Sequence, residues 1–175
     1  MYGLSQKQWC EACVLYRLGR RREGNATVNR PLKQYERFFI YGGFGWCVEI
    51  VFTSIAAQIE GSGDITLQGH SYIWMPLVWG LGFLLMDKVS KYLQKKQVMF
   101  VFRGLVYMVA CLFWEYIFGV VFGFILNKIP WDYSYSPWSL GGATRIDYAP
   151  FWYVGGLVME IFLKALDRIR IESTR

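Results

Sequence analysis

The length of the chain suits one domain, and its composition argues against a soluble protein. It has 175 residues, of which 54% are hydrophobic and 19% aromatic, and its formal net charge is +6. The apolar residues are gathered in four blocks instead of alternating with polar residues at the period of a soluble helix. Because the basic residues cluster beside these blocks, the positive charge requires no nucleic-acid partner.

A polar, basic arm at residues 1–37 precedes the first block and is expected to be cytosolic. Trp9, Cys13 and Tyr16 have helical spacing and are followed by three arginines, which favours a short helix on anionic inner-leaflet lipid. A solvated arm is the alternative. No cleaved signal peptide is expected, because the first apolar block begins only at Phe38.

Within the arm, Cys10 and Cys13 have the CxxC spacing of metal sites. A structural zinc site needs four ligands, yet no second cysteine pair follows. The only histidine, His70, is predicted on the opposite side of the membrane. We therefore expect neither a metal nor a cofactor.

The apolar blocks predict an all-α membrane protein with four transmembrane helices, because about 20 apolar residues cross a hydrocarbon core. The predicted spans are about 38–59, 72–93, 98–126 and 148–168, in a domain of residues 38–171 that precedes a cytosolic tail at 172–175. The second span is the weakest, since its apolar run from Ile73 to Met86 has 14 residues. A run of that length alone would also fit a buried helix of a soluble core.

The distribution of basic residues predicts the orientation. The basic segments are residues 1–37, 87–103 and 164–175. They contain 17 of the 19 lysine and arginine residues, whereas the 60–72 and 127–147 connections contain only Lys128 and Arg145. By the positive-inside rule, both termini and the middle loop are cytosolic, and the two poorer connections face outward.

The two halves of the chain resemble each other, which predicts two tandem helical hairpins. A shift of 66 residues aligns Arg37 with Arg103, Tyr41 with Tyr107, and Glu49 with Glu115, and a shift of 73 aligns Trp79 with Trp152, Asp87 with Glu160, and Lys91 with Lys164. Because each unit has two helices, both halves enter the membrane in the same direction. The expected pseudo-twofold axis therefore runs along the membrane normal.

Two glutamates lie deep within predicted spans. Glu49 and Glu115 each follow an arginine by 12 residues, about 18 Å along a helix and so near the bilayer middle. Glycines share their helix faces, so we expect both carboxylates to point into the bundle and to meet near the pseudo-axis. Two interpretations remain open: a shared proton or cation site on an ion path, or protonated carboxyl groups that hydrogen-bond neighbouring helices.

Two further acids lie closer to the cytosolic side. Asp87 and Glu160 are each followed by a lysine four residues later. The short connection after Asp87 returns Arg103 to about its level, which predicts that Asp87 pairs with Arg103. By the pseudo-symmetry, Glu160 should pair with Arg37.

The predicted outer connection before the fourth span contains the motif Pro130, Trp131, Asp132, Tyr133 and Ser134. Amphipathic aromatic side chains settle at membrane interfaces, so a simple interfacial anchor is one interpretation. A lid over a cavity is the other.

Several segments together resemble a known family. They are RGLVY at 103–107, FWEY at 113–116, PWDYS at 130–134 and GGLVMEIF at 155–162. They are similar to the transmembrane protein 229 family, which is related to bacterial membrane proteins labelled as type IV ABC transporters, and the resemblance covers about Phe38 to Ile171. It implies a small multi-pass membrane protein of unestablished activity. The family has acidic residues at the positions of Glu49, Asp87, Glu115 and Glu160, although glutamate-arginine is usual at 87–88 and cysteine at 129.

The sequence favours a structural or accessory membrane protein, which binds partners and uses the deep acids for folding and assembly. A small ion, proton or solute transporter or channel component using Glu49 and Glu115 is the alternative. An enzyme is not expected, because the spans contain no histidine and no Ser/His/Asp constellation. ATP hydrolysis is not expected either, since there is no Walker A sequence. A homodimer is compatible with a bundle of this size.

Overall fold

The computed structural model describes residues 27–61 and 65–174, and the chain divides into two compact units. The larger unit is Lys33–Leu166, and the smaller combines Met1–Leu32 with Asp167–Arg175. The described residues contain four α-helices: α1 (Gln34–Ile59), α2 (Met75–Lys95), α3 (Phe100–Leu126) and α4 (Ala149–Asp167). A 3-10 helix at Ile146–Tyr148 leads into α4.

Local sequence accounts for where these helices begin and end. At the start of α1, the Glu36 carboxylate accepts a hydrogen bond of 2.7 Å from the backbone N–H of Lys33, which satisfies a donor before the first turn. Pro76 lies in the first turn of α2, where a proline has no helical N–H to lose. Asn127 ends α3 in the left-handed region with φ of 51°, a conformation that asparagine tolerates.

Three helical segments among the described residues are long and apolar enough to cross a membrane. They are Gln34–Ile59, Phe100–Leu126 and Ile146–Asp167. The helix α2, which has the shortest apolar run in the sequence, is not among them. It has 21 residues and so a length of about 32 Å.

The outer faces of these helices are strongly apolar. On α3, Phe113 is 63% exposed and Phe124 is 82% exposed. Contiguous apolar surface of this kind is rare on soluble monomers, whereas lipid chains contact it favourably. The exposed faces therefore fit a membrane environment.

Glycines allow close helix contacts in the larger unit. On α1, a Cβ added to Gly42 would collide with the backbone carbonyl of Pro76 on α2. Between α3 and α4, the ring of Tyr107 packs where Gly156 has no side chain. These contacts confirm that the predicted glycine face of α1 packs against protein.

The connection between α3 and α4 has a small hairpin of its own. Strand β2 (Ser139–Leu140) pairs antiparallel with β3 (Thr144–Arg145). Gly141 and Gly142 form its turn with φ of 59° and 74°, values that glycine adopts without strain. We call residues 127–148 the aromatic connection.

The described part of the smaller unit is a two-stranded sheet that the sequence did not predict. Strand β1 (Thr27–Pro31) pairs antiparallel with β4 (Arg170–Thr174), with Asn29 opposite Glu172. Neither segment has a strong strand pattern, and their pairing joins opposite ends of the chain. The predicted inner-leaflet helix and the Cys10 and Cys13 pair lie outside the described residues.

Candidate functional site

A cavity of about 230 Å³ lies among the four helices of the larger unit. Its wall is almost entirely carbon, and its aromatic lining includes Phe44, Trp79, Trp114, Phe118, Tyr133 and Trp152. The charged side chains on this wall are Glu49 and Glu115. Among the described lining residues there is no lysine, arginine or histidine.

Glu49 reaches the cavity from the middle of α1. Its Oε2 accepts a hydrogen bond of 2.6 Å from the indole Nε1–H of Trp79 on α2. The indole can stand beside the helix because Gly45, one turn before Glu49, has no side chain to occupy that space. This arrangement holds the carboxylate against an aromatic ring at the cavity wall.

Glu115 reaches the same cavity from the middle of α3. Its Oε2 accepts a hydrogen bond from the Thr144 hydroxyl of β3, and its Oε1 accepts one of 3.1 Å from the Tyr133 hydroxyl. Burial beside Glu115 raises the pKa of Tyr133, so this phenol remains a proton donor in neutral solution. Trp152 also lies close to the Glu115 carboxylate.

The two deep glutamates therefore share one cavity but have different hydrogen-bond partners. The sequence predicted that they point into the bundle, and both line the cavity. Within residues 27–61 and 65–174, no hydrogen bond joins their carboxylates, and neither takes part in an ion pair. Trp79, which bonds Glu49, and Trp152, which lies close to Glu115, have ring centroids 6.2 Å apart.

The two shallower acids have basic partners instead. Asp87 on α2 lies 2.8 Å from the Lys91 ammonium and 3.7 Å from the Arg37 guanidinium of α1. The same guanidinium donates a hydrogen bond of 3.2 Å to the Tyr41 hydroxyl. The cluster therefore joins α1 to α2.

Glu160 on α4 forms the tighter cluster. Its side chain is fully buried, and its two oxygens accept bonds of 2.8 Å from Nε and Nη2 of Arg103 on α3. Tyr107 donates a bond of 2.7 Å and Lys164 one of 2.6 Å. Such a bidentate arrangement satisfies a buried carboxylate well.

The sequence predicted the wrong partners for the acids Asp87 and Glu160. Arg37 pairs with Asp87, and Arg103 pairs with Glu160, whereas the sequence pointed to Asp87 with Arg103 and Glu160 with Arg37. The prediction relied on the short connection between α2 and α3. In the structure, each arginine instead faces the helix that follows its own helix in the chain.

The motif at residues 130–134 contributes to the cavity wall. Trp131 and Tyr133 line the cavity, and the Trp131 indole donates a hydrogen bond of 2.9 Å to the Ala143 carbonyl. Asp132 instead accepts bonds from the backbone and hydroxyl of Ser134, which lower the pKa of this exposed carboxyl. The Pro130 carbonyl accepts a bond of 2.6 Å from Tyr72, so the motif is held in place from several sides.

Arg145 is a structural residue that the sequence interpretation missed. Its guanidinium lies 2.7 Å from Glu60 and 2.7 Å from Asp147, and 4.2 Å from the Tyr148 ring centroid. The ion pairs raise the pKa of Arg145 above its usual value. The sequence pattern that could have indicated this role is a single arginine in a tyrosine-rich connection, followed by an acid two residues later. Thr144, Trp79 and Trp152 were also not predicted as site residues.

The long apolar helices and the buried, carboxylate-containing cavity define an integral membrane protein. The chain matches the family model described as "Putative ABC-transporter type IV" over residues 37–173, more than three-quarters of its length, and it belongs to that family. No solved structure matches the chain.

Proposed function

We propose that this protein is a transport-related membrane component whose cavity binds a small solute or ion through Glu49 and Glu115. The carrying observation is that both carboxylates lie on an otherwise apolar wall, and that neither has a basic partner among the described residues. An unpaired charge at the centre of a span costs about 2.5–3.5 kcal/mol even on lenient scales. A bound cation or proton would remove that cost.

The contrast with the other two acids supports this proposal. Asp87 and Glu160 are each neutralised by an arginine and a lysine, so the fold stabilises buried acids where they serve packing alone. An intramembrane ionisable group without such a partner is characteristic of an ion or substrate pathway. The description of the family, which refers to a transporter, agrees with this assignment.

A second candidate is a structural or accessory membrane protein. The observation that favours it is that each deep carboxylate hydrogen-bonds a neighbouring element: Glu49 bonds Trp79 of α2, and Glu115 bonds Thr144 of β3. In that case both groups hold the bundle together. Neither candidate involves enzymatic chemistry.

The membrane arrangement belongs to the same proposal. We take α2 as a membrane span in addition to the three long apolar helices, both termini as cytosolic, and the pairs α1/α2 and α3/α4 as repeated hairpins. The observed ion pairs support the repeat, because Arg37 pairs with Asp87 within the first hairpin and Arg103 pairs with Glu160 within the second. Binding of the basic arm to anionic lipid and formation of a homodimer stay predictions.

Flux measurements in liposomes test the two functions. Purified protein reconstituted with a pH-sensitive or cation-sensitive dye should conduct protons or cations, and Glu115→Gln should abolish that flux. Glu172→Gln is the matched control, because Glu172 is an exposed acid of β4. If wild type and Glu115→Gln are equally inactive and equally stable while Glu115→Leu fails to fold, the structural function replaces the transport function.

A further inference from the structure

We propose that the cavity is a binding site for a small organic monocation, an amine with an apolar ring or alkyl body. This inference rests on the proposed function and names the class of solute. It follows from the charge, chemistry and size of the cavity wall.

The sign of the charge follows from the lining. Glu49 and Glu115 are acidic, and the described wall has no basic side chain to hold an anion. A neutral apolar solute would contact the apolar wall but would leave both carboxylates without a countercharge. A cation with an apolar body contacts the apolar wall and also neutralises the carboxylates.

The apolar lining selects an organic cation over an inorganic one. Calcium requires six to eight oxygen ligands, and magnesium requires an octahedral set, whereas this wall is mainly carbon. Four indole rings line the cavity, those of Trp79, Trp114, Trp131 and Trp152. Aromatic faces attract ammonium groups that carry carbon substituents, and tryptophan does so most strongly.

The volume limits the size of the solute. A cavity of about 150 Å³ binds benzene, which has six carbon atoms. By proportion, the 230 Å³ observed here accommodates a molecule of about nine non-hydrogen atoms. A phenyl ring with a two-carbon amine side chain has this size.

Binding to the purified full chain in nanodiscs tests the proposal with matched probes. We expect 2-phenylethylamine to bind, and its neutral isostere 2-phenylethanol to bind at least about tenfold more weakly, since a charge-assisted hydrogen bond is lost. Phenylacetate and sodium ion should not compete. Equal binding of the alcohol, or preferred binding of phenylacetate, overturns the assignment.

Variants separate the charge of the site from its volume. Glu49→Gln and Glu115→Gln should each weaken amine binding about tenfold, and Glu172→Gln should leave it unchanged. Gly155 lines the cavity, and an added Cβ there meets no atom within 4 Å. Gly155→Val should therefore also block binding, because the new side chain would occupy part of the cavity without displacing its neighbours. Gly43→Val is its control, because a Cβ at Gly43 also meets nothing within 4 Å and Gly43 does not line the cavity.

The outcomes distinguish this inference from the transport function. Glu115-dependent flux of protons or sodium without amine binding overturns the amine site and leaves the transport function intact. Amine binding that depends on both glutamates, without any flux, retains the site and rejects transport. Amine binding that Gly155→Val does not affect places the amine outside the cavity and also overturns the inference.

Discussion

Glu160 and Glu115 lie on neighbouring helices, yet their carboxylates have opposite surroundings. Glu160 is fully buried and neutralised by Arg103 and Lys164, whereas Glu115 faces the cavity and accepts hydrogen bonds from the hydroxyl groups of Tyr133 and Thr144. Asp87 and Glu49 repeat this contrast in the other helix pair. Burial alone therefore does not assign a role to a membrane carboxylate. A carboxylate with a basic partner stabilises helix packing, whereas one without a basic partner can bind a cation or a proton.

The largest expected effect is the loss of the buried ion pair. Glu160→Gln should lower the free energy of unfolding by about 3–5 kcal/mol, because Arg103 is left buried without its countercharge. Glu115→Gln, which removes a charge but no ion pair, should cost less than about 1 kcal/mol. Denaturant titration in the same detergent compares the two variants. Equal losses would remove the distinction between packing acids and cavity acids.

An intermediate effect is expected at Asp87, where the pairing is looser. Asp87→Asn should cost about 1.5–3 kcal/mol, the value of hydrogen bonds to charged groups, because Lys91 and Arg37 lose their carboxylate. The double exchange Arg37→Asp with Asp87→Arg should recover part of the stability lost in either single reversal. Recovery instead by exchanging Asp87 with Arg103 would restore the pairing first predicted from the sequence.

A smaller effect than at Asp87 is expected at Tyr133, which contacts Glu115 from the aromatic connection. Tyr133→Phe should reduce the free energy of unfolding by about 1 kcal/mol, because one hydrogen bond is lost while the ring remains. Thermal unfolding and amine affinity should be measured together. A fall in stability as large as that for Glu160→Gln would show that Glu115 stabilises helix packing as Glu160 does, and would contradict the distinction between the two acids.

Much of the fold could be predicted because apolar length is a local property. The blocks that contain Glu49 and Glu115 specify helices without any tertiary contact, and the glycines beside them indicate which face meets protein. The strand β4, by contrast, pairs with residues near the other end of the chain. No local pattern in a short polar segment indicates such a partner.

The candidate site was predictable only in part. The depth of Glu49 and Glu115 follows from helical rise, and their orientation follows from the small residues on the same faces. The role of Trp79 could not be predicted, since tryptophan occurs both at membrane interfaces and in protein cores. The role of Thr144 could not be predicted either, because its contact with Glu115 joins the hairpin of the aromatic connection to α3, which is distant in sequence.

The order of residues alone predicts a helical membrane protein, the acids near the middle of its long helices, and the helix faces that are free of bulky side chains. Apolar block length and helical periodicity contain that information, because they act within one segment. The folded arrangement of the helices was needed to show that Arg103 bonds Glu160 instead of Asp87, and that Glu49 and Glu115 face a common cavity. Those outcomes depend on the rotation and approach of whole helices, which are set by many contacts between distant segments.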